Sequence, residues 1–185
     1  MLATASDDCT VKLWDTATLK EIKTLTGHTY PVLGTSSSPD GKILATASGD
    51  KTVKLWDTAT LKEIKTLSGH TNIVSGVSFS PNGKILATAS WDTTVKLWDT
   101  ATGQVIKTFS AYTSSISFTS AVYGVSFSPD GKMLATTGFN TTVRLWKWDY
   151  DNLLRQGCAF MGEYFNTNPK DDDAEISNMC RAVSR

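Results

Sequence analysis

The chain says the same thing twice. Residues 10–28 read TVKLWDTATLKEIKTLTGH and residues 52–70 read TVKLWDTATLKEIKTLSGH; eighteen of the nineteen positions agree, the exception being Thr26 against Ser68. Anchored on tryptophan, the repeat recurs at Trp14, Trp56, Trp98 and Trp146, at intervals of 42, 42 and 48 residues. The segment LATAS runs in step from Leu2, Leu44 and Leu86 and returns as LATTG from Leu134; the six extra residues of the last interval fall between Phe109 and Tyr123. A unit of this length buries too little apolar surface to fold alone, so its stability has to come from stacking on neighbouring copies. The 185 residues leave room for one such array and a short appendage.

Each copy reads as short strands. VSGVSFS (residues 74–80) alternates Val77 and Phe79 with small polar residues, the period-2 pattern of a half-buried strand. KILATAS and TVKLWD are short, β-branched or apolar, and bounded by turn residues. SPDG at 38–41, SPNG at 80–83 and SPDG at 128–131 are tight turns: Pro presets φ, Asp or Asn bonds back to the backbone, and Gly accepts a positive φ. LKEIKTL has helix formers, but its Ile and Thr, its shortness and its flanking turns predict a strand. The unit is four antiparallel strands, a to d in chain order, and a row of such sheets at a period near 40–45 residues predicts an all-β propeller.

The copies resemble the WD40 repeat. GH stands at Gly27-His28 and Gly69-His70, and LWD at residues 13–15, 55–57 and 97–99. The resemblance covers residues 1–148, with blades at about 1–26, 27–68, 69–110 and 111–148. It implies a β-propeller that binds proteins or peptides without catalysis, and no cofactor or metal. It also implies a buried polar tetrad per blade: His28, Ser48, Asp50 and Trp56 in one, His70, Ser90, Asp92 and Trp98 in the next. In such a set the carboxylate orients the imidazole, and the hydroxyl and indole N–H complete the network. A hydrolase triad of Ser, His and Asp is set aside, because the constellation repeats per blade and would be buried. The first copy keeps Ser6, Asp8 and Trp14 but lacks the strand a and the His. The fourth has AYT at 111–113, Gly138 and Asn140 at the GHT, Ser and Asp places, and keeps Trp146.

Binding in this family falls on the face carrying the d–a and b–c turns. The resemblance places there Asp7, Gly49, Trp91 and Phe139, just before the turn Asp or Asn, and Leu33, Ile73 and Ser75 at the start of strand a. Trp91 stands where the near-identical repeats have Gly49 or Asp7, so its bulk is not a requirement of the fold. Trp91 and Phe139 on neighbouring blades are expected to form an apolar patch, since exposed aromatics make good anchors.

The strands count as bcd, abcd, abcd, abc, a half-propeller per chain. Open ends expose apolar blade faces and unpaired edges, so the chain is expected to self-associate, two copies completing one ring as a C2 homodimer of six, seven or eight blades. The second reading is a truncated fragment or relic of a larger WD40 signalling protein, whose robust activity is self-assembly alone.

Residues 149–185 change grammar and are expected to form a helical hairpin, with Leu153, Leu154, Cys158, Met161 and Phe165 on one apolar stripe and Ile176, Met179, Cys180 and Val183 on another. This tail is similar to segments that follow WD40 repeats in bacterial signalling proteins. Lys plus Arg balance Asp plus Glu at 18 each, which argues against nucleic acid or an anionic membrane as partner. There is no apolar run long enough to span a bilayer, no signal peptide at the start, and no P-loop, GxGxxG or HExxH. Three scattered cysteines, Cys9, Cys158 and Cys180, suit reduced thiols and a cytoplasmic setting.

Overall fold

The computed structural model describes residues 1–110, 121–139 and 141–147. Over these the chain is all-β, with fourteen strands in four antiparallel sheets. The first sheet holds β1 (Leu2–Ala5), β2 (Val11–Trp14) and β3 (Glu21–Leu25). The second holds β4 (Val32–Ser37), β5 (Ile43–Ser48), β6 (Thr52–Asp57) and β7 (Glu63–Ser68). The third holds β8 (Val74–Phe79), β9 (Ile85–Ser90), β10 (Thr94–Asp99) and β11 (Val105–Ser110). The fourth holds β12 (Val122–Phe127), β13 (Met133–Gly138) and β14 (Val143–Lys147). Each sheet is a meander whose strands pair in chain order. LKEIKTL is strand, not helix. The expected helical hairpin, with Cys158 and Cys180, lies outside the described residues. The chain separates into two units, residues 1–146 and 147–185.

Short-range chemistry fixes the turns. In the SPDG and SPNG turns the Asp40 and Asn82 side chains accept the Lys42 and Lys84 amides at 3.1 and 3.0 Å. Gly41, Gly83 and Gly131 sit at φ of 70, 71 and 70°. The Asp of each LWD ends the third strand and caps the next turn: Asp57 Oδ1 accepts the amides of Ala59 and Thr60 at 3.0 and 2.6 Å, as Asp15 does those of Ala17 and Thr18 at 2.8 and 2.7 Å.

The sheets stack face to face. One junction is a cluster of Ala45, Ala47, Val53, Leu55 and Leu67 from the second sheet against Val74, Val77, Phe79, Leu86 and Trp98 from the third. Another joins Val11, Leu13 and Leu25 of the first sheet to Val32, Leu44 and Trp56 of the second. Each sheet therefore has a face of small and branched residues toward the following sheet and a bulkier face, with its Trp, toward the preceding one. Sandwiched on both sides, β9 is buried along its whole length, which is why ILATAS reads as a nearly continuous apolar run and not as a clean alternation.

The sheets converge on their first strands: β4 lies beside β8 and β8 beside β12. Close approach there requires glycine. A Cβ on Gly76 would stand 3.1 Å from Gly124 Cα and 3.1 Å from the Tyr123 carbonyl. Hydroxyls stitch these strands across sheets: Ser75 Oγ donates to the Val122 carbonyl at 2.7 Å, and Ser36 Oγ and Ser78 Oγ accept the amides of Phe79 and Phe127 at 3.3 and 3.2 Å.

Candidate functional site

The polar interior is built the same way in the two complete sheets. The His28 imidazole sits at the entry to β4, its Nδ1 donating to Asp50 Oδ2 at 2.7 Å while Nε2 meets Thr46 Oγ1 at 2.8 Å. The Trp56 indole N–H donates to the same Thr46 oxygen at 2.9 Å. In the third sheet His70, Asp92, Thr88 and Trp98 repeat this at 2.7, 2.7 and 2.9 Å. A carboxylate only accepts, which assigns the Nδ1 proton to it; the Thr oxygen accepts from the indole and offers its own proton to Nε2. Both imidazole nitrogens are thus committed, and both histidine side chains are buried.

The hydroxyl of each tetrad is Thr46 or Thr88, not the expected Ser48 or Ser90. Thr46 and Ser48 share a face of β5, because side chains alternate with period 2. Trp56 stands opposite Leu44 and Thr46 opposite Lys54, so the indole nitrogen reaches two pairs along the ladder and stops at Thr46. Ser48 closes the following turn: its Oγ donates to the Tyr30 carbonyl at 2.8 Å and accepts the Asp50 amide at 3.1 Å. Ser90 does the same with the Asn72 carbonyl and the Asp92 amide, at 3.2 and 3.0 Å. The incomplete sheets keep the indole–threonine bond, Trp14 to Thr4 at 2.9 Å and Trp146 to Thr136 at 3.0 Å. The fourth copy therefore retains two tetrad members and not Trp146 alone; Asn140 lies outside the described residues.

Burial alone would raise the Asp92 carboxyl; hydrogen bonds from the His70 imidazole and the Thr94 hydroxyl more than offset it and hold the group well below the usual carboxylate range. Asp50 is lowered too, burial being opposed by bonds from Thr52 and His28. These carboxylates are anchors for a buried network and a tight turn.

Solvent meets the other set of residues at the mouth formed by the turns after β5, β9 and β13 and by the starts of β4, β8 and β12. Two local devices build it. The first is a bulge near the start of each first strand. Val32 pairs with Ser48 and Gly34 with Ala47, leaving Leu33 extra; Ser75 and Tyr123 are the extra residues in β8 and β12. A bulge re-aims its side chain. The second is a backbone bond that pins the residue before the turn Asp onto the same first strand. The amides of Gly49, Trp91 and Phe139 donate to the carbonyls of Pro31, Ile73 and Ala121 at 2.9, 2.9 and 3.0 Å.

The residues so placed differ from sheet to sheet. Leu33 and Asp7 are exposed, and Gly49 lies under Tyr30, whose Cβ is 3.3 Å from where a Gly49 Cβ would be. Ile73 is half-buried, and the Ser75 hydroxyl is engaged with the next sheet. Trp91, Tyr123 and Phe139 form a row: Trp91 meets the Tyr123 ring edge-on with centroids 5.7 Å apart, and Tyr123 meets Phe139 at 6.1 Å. They remain 37, 39 and 53% exposed. Tyr123 is the member that reading the sequence missed. It occupies the register of Leu33 and Ser75, and the signal was the shared spacing to the downstream glycine of each first strand. The six-residue stretch of the last interval, with its altered GHT, hid that register. A separate cavity of about 490 Å³ is lined by Ser38, Pro39, Asp40, Asn82, Lys84 and Thr100 among others; it belongs to the opposite end of the sheets and takes in none of the mouth residues.

Comparison with curated proteins finds no match. A family model described as WD domain, G-beta repeat, matches residues 1–15, 19–57, 61–99 and 103–147; each match after the first takes in the last strand of one sheet and the first three strands of the next. With repeat period, tetrads, sheet order and family match in agreement, the chain belongs to the WD40 repeat family.

Proposed function

We propose that this chain is a non-catalytic scaffold that binds a protein or peptide at the aromatic mouth and self-associates to close its ring of blades. WD40 repeats are protein-interaction modules in general. The observation that carries the reading for this chain is the Trp91–Tyr123–Phe139 row. The fold does not ask for aromatics at these positions, since the equivalent places in the second blade are Gly49 and Leu33. Large, partly exposed rings held by bulges and backbone bonds lose little conformational freedom on binding, which makes them efficient anchors. The commitment of both imidazole nitrogens within buried tetrads supports a structural role for the histidines. Self-association is supported by bare blade faces at both ends of the array. The sparse cysteines and balanced charge support a cytoplasmic setting.

The test is a paired capture experiment from the source cell with the wild-type chain and with Trp91→Ala. A protein retained by the wild type and lost by the variant, at unchanged melting temperature, supports the reading. Equal capture by both removes the aromatic mouth as the site.

A further inference from the structure

Register-equivalent residues have opposite fates in the middle and at the ends of the array. Val11 and Leu13, Val53 and Leu55, and Val95 and Leu97 are each at most 1% exposed, whereas Val143 and Leu145, their equivalents in the fourth blade, are 63 and 65% exposed. Leu44, Leu86 and Leu134 are likewise at most 1% exposed, whereas Leu2, their equivalent in the first blade, is 55% exposed. The two bare faces are different faces. In the first blade Val11 and Leu13 are buried against the second, so the open side is the bulky one, with Leu2 exposed and Trp14 half-buried. In the fourth, Val122 and Leu134 are buried, so the open side is that of small and branched residues, with Val143 and Leu145 exposed and Ala135 half-buried.

These are the two halves of one junction. Between the second and third blades, Ala45, Val53 and Leu55 lie against Leu86 and Trp98. The same residue types in the same register stand on the open faces of the fourth and first blades of a single chain, Leu2, Val143 and Leu145 exposed and Trp14 and Ala135 half-buried. We infer that a second copy docks head to tail: Leu2 and Trp14 of each chain pack on Ala135, Val143 and Leu145 of the other, so that two identical heterologous junctions close the ring. This rests on the self-association proposed above and adds its polarity. Like-to-like pairing would set bulky face on bulky face, with Trp14 against Trp14 and no small-residue surface to receive either. A heterologous contact either closes or propagates; two chains supply eight sheets, within the four to eight of ordinary propellers.

Complementing variants distinguish these arrangements. Leu2→Asp spoils only the bulky face, and Leu145→Asp only the small-residue face. Both positions are exposed in the single chain, so each variant should keep the wild-type circular dichroism; Val143→Asp is a second variant on the same face as Leu145. Sedimentation velocity is expected to show a wild-type dimer, at least a tenfold loss of dimer affinity for each variant alone, and recovery of a dimer on mixing Leu2→Asp with Leu145→Asp, since that pair retains one intact junction. Mixing Leu145→Asp with Val143→Asp should recover none. A dimeric wild type whose variants fail to complement would overturn the polarity and leave self-association standing. Filaments growing with concentration would overturn the closed two-chain ring. A monomeric wild type would overturn both readings.

Discussion

At the scale of single residues, one threonine hydroxyl holds each blade's polar interior together. Thr88 has no exposure and serves both the Trp98 indole and the His70 imidazole. Thr88→Val leaves two buried polar groups unpaired and is expected to cost about 2–4 kcal/mol. Ser90→Ala, whose lost partners are backbone groups at a turn, should cost about 1 kcal/mol. Urea denaturation of the two variants ranks them, and the reverse order would return the tetrad role to Ser90. The neighbouring carboxylate sets an acid dependence. Asp92 is held below its ordinary value in the folded chain, so the unfolded chain takes up the proton first as pH falls. Its stabilisation is full above about pH 4, near the unfolded value, and is lost as pH drops through the depressed folded value. Melting temperatures from pH 7 to pH 2 should fall less steeply for Asp92→Asn than for the wild type, from a lower starting point. The sequence told which residue types form the network but not which hydroxyl. Thr46 and Ser48 share a face, and only the reach of the indole chooses between them.

At the scale of elements, strands were legible because their turns are. Pro, Asp or Asn, and Gly stand at fixed offsets, and the repeated LW, followed by Asp in three of the four copies, marks each third strand, so the strand count by blade can be read directly. Less visible is backbone that the repeat forces into left-handed conformation without glycine. Leu19 and Leu61 hold φ of 58 and 56° in the turn after the third strand, where the third blade has Gly103 at 75°. A lone Gly103 against two leucines is the one hint in the sequence. Leu19 is exposed, so Leu19→Gly relieves the strain at no packing cost and is expected to raise stability by about 0.5–1 kcal/mol. The converse change is costlier at Gly103, where a Cβ would stand 2.6 Å from Lys65 Cδ and 3.1 Å from Leu67 Cδ2. Gly103→Leu displaces the lysine from its bonds to the Ala101 and Thr102 carbonyls and should lower stability by about 1–3 kcal/mol. Calorimetry on the pair checks both signs. The bulges also escaped sequence reading: each shifts the alternation by one, so that Val74 and Val77, three residues apart, are buried in the same cluster. Leu33 and Ser75 were found by family position, and Tyr123, in the stretched interval, was not.

At the scale of the molecule, four sheets are stacked so that the interior ones are covered on both faces and the terminal ones on one. The sequence reading expects three strands in the first and fourth copies, and among the described residues each of those sheets has three. It does not show that the two bare faces are unlike and mutually fitting; that needs the register of Leu2, Val143 and Leu145 against their buried equivalents. The aromatic mouth and the closing junction are separable, because Trp91, Tyr123 and Phe139 line the mouth whereas Leu2 and Leu145 stand exposed on the faces of the first and fourth sheets. Size-exclusion chromatography with light scattering on the wild-type chain at micromolar concentration tests the closed ring most directly. The account predicts a single species of twice the 20.1 kDa chain mass; a species that holds the single-chain mass across the concentration range contradicts it.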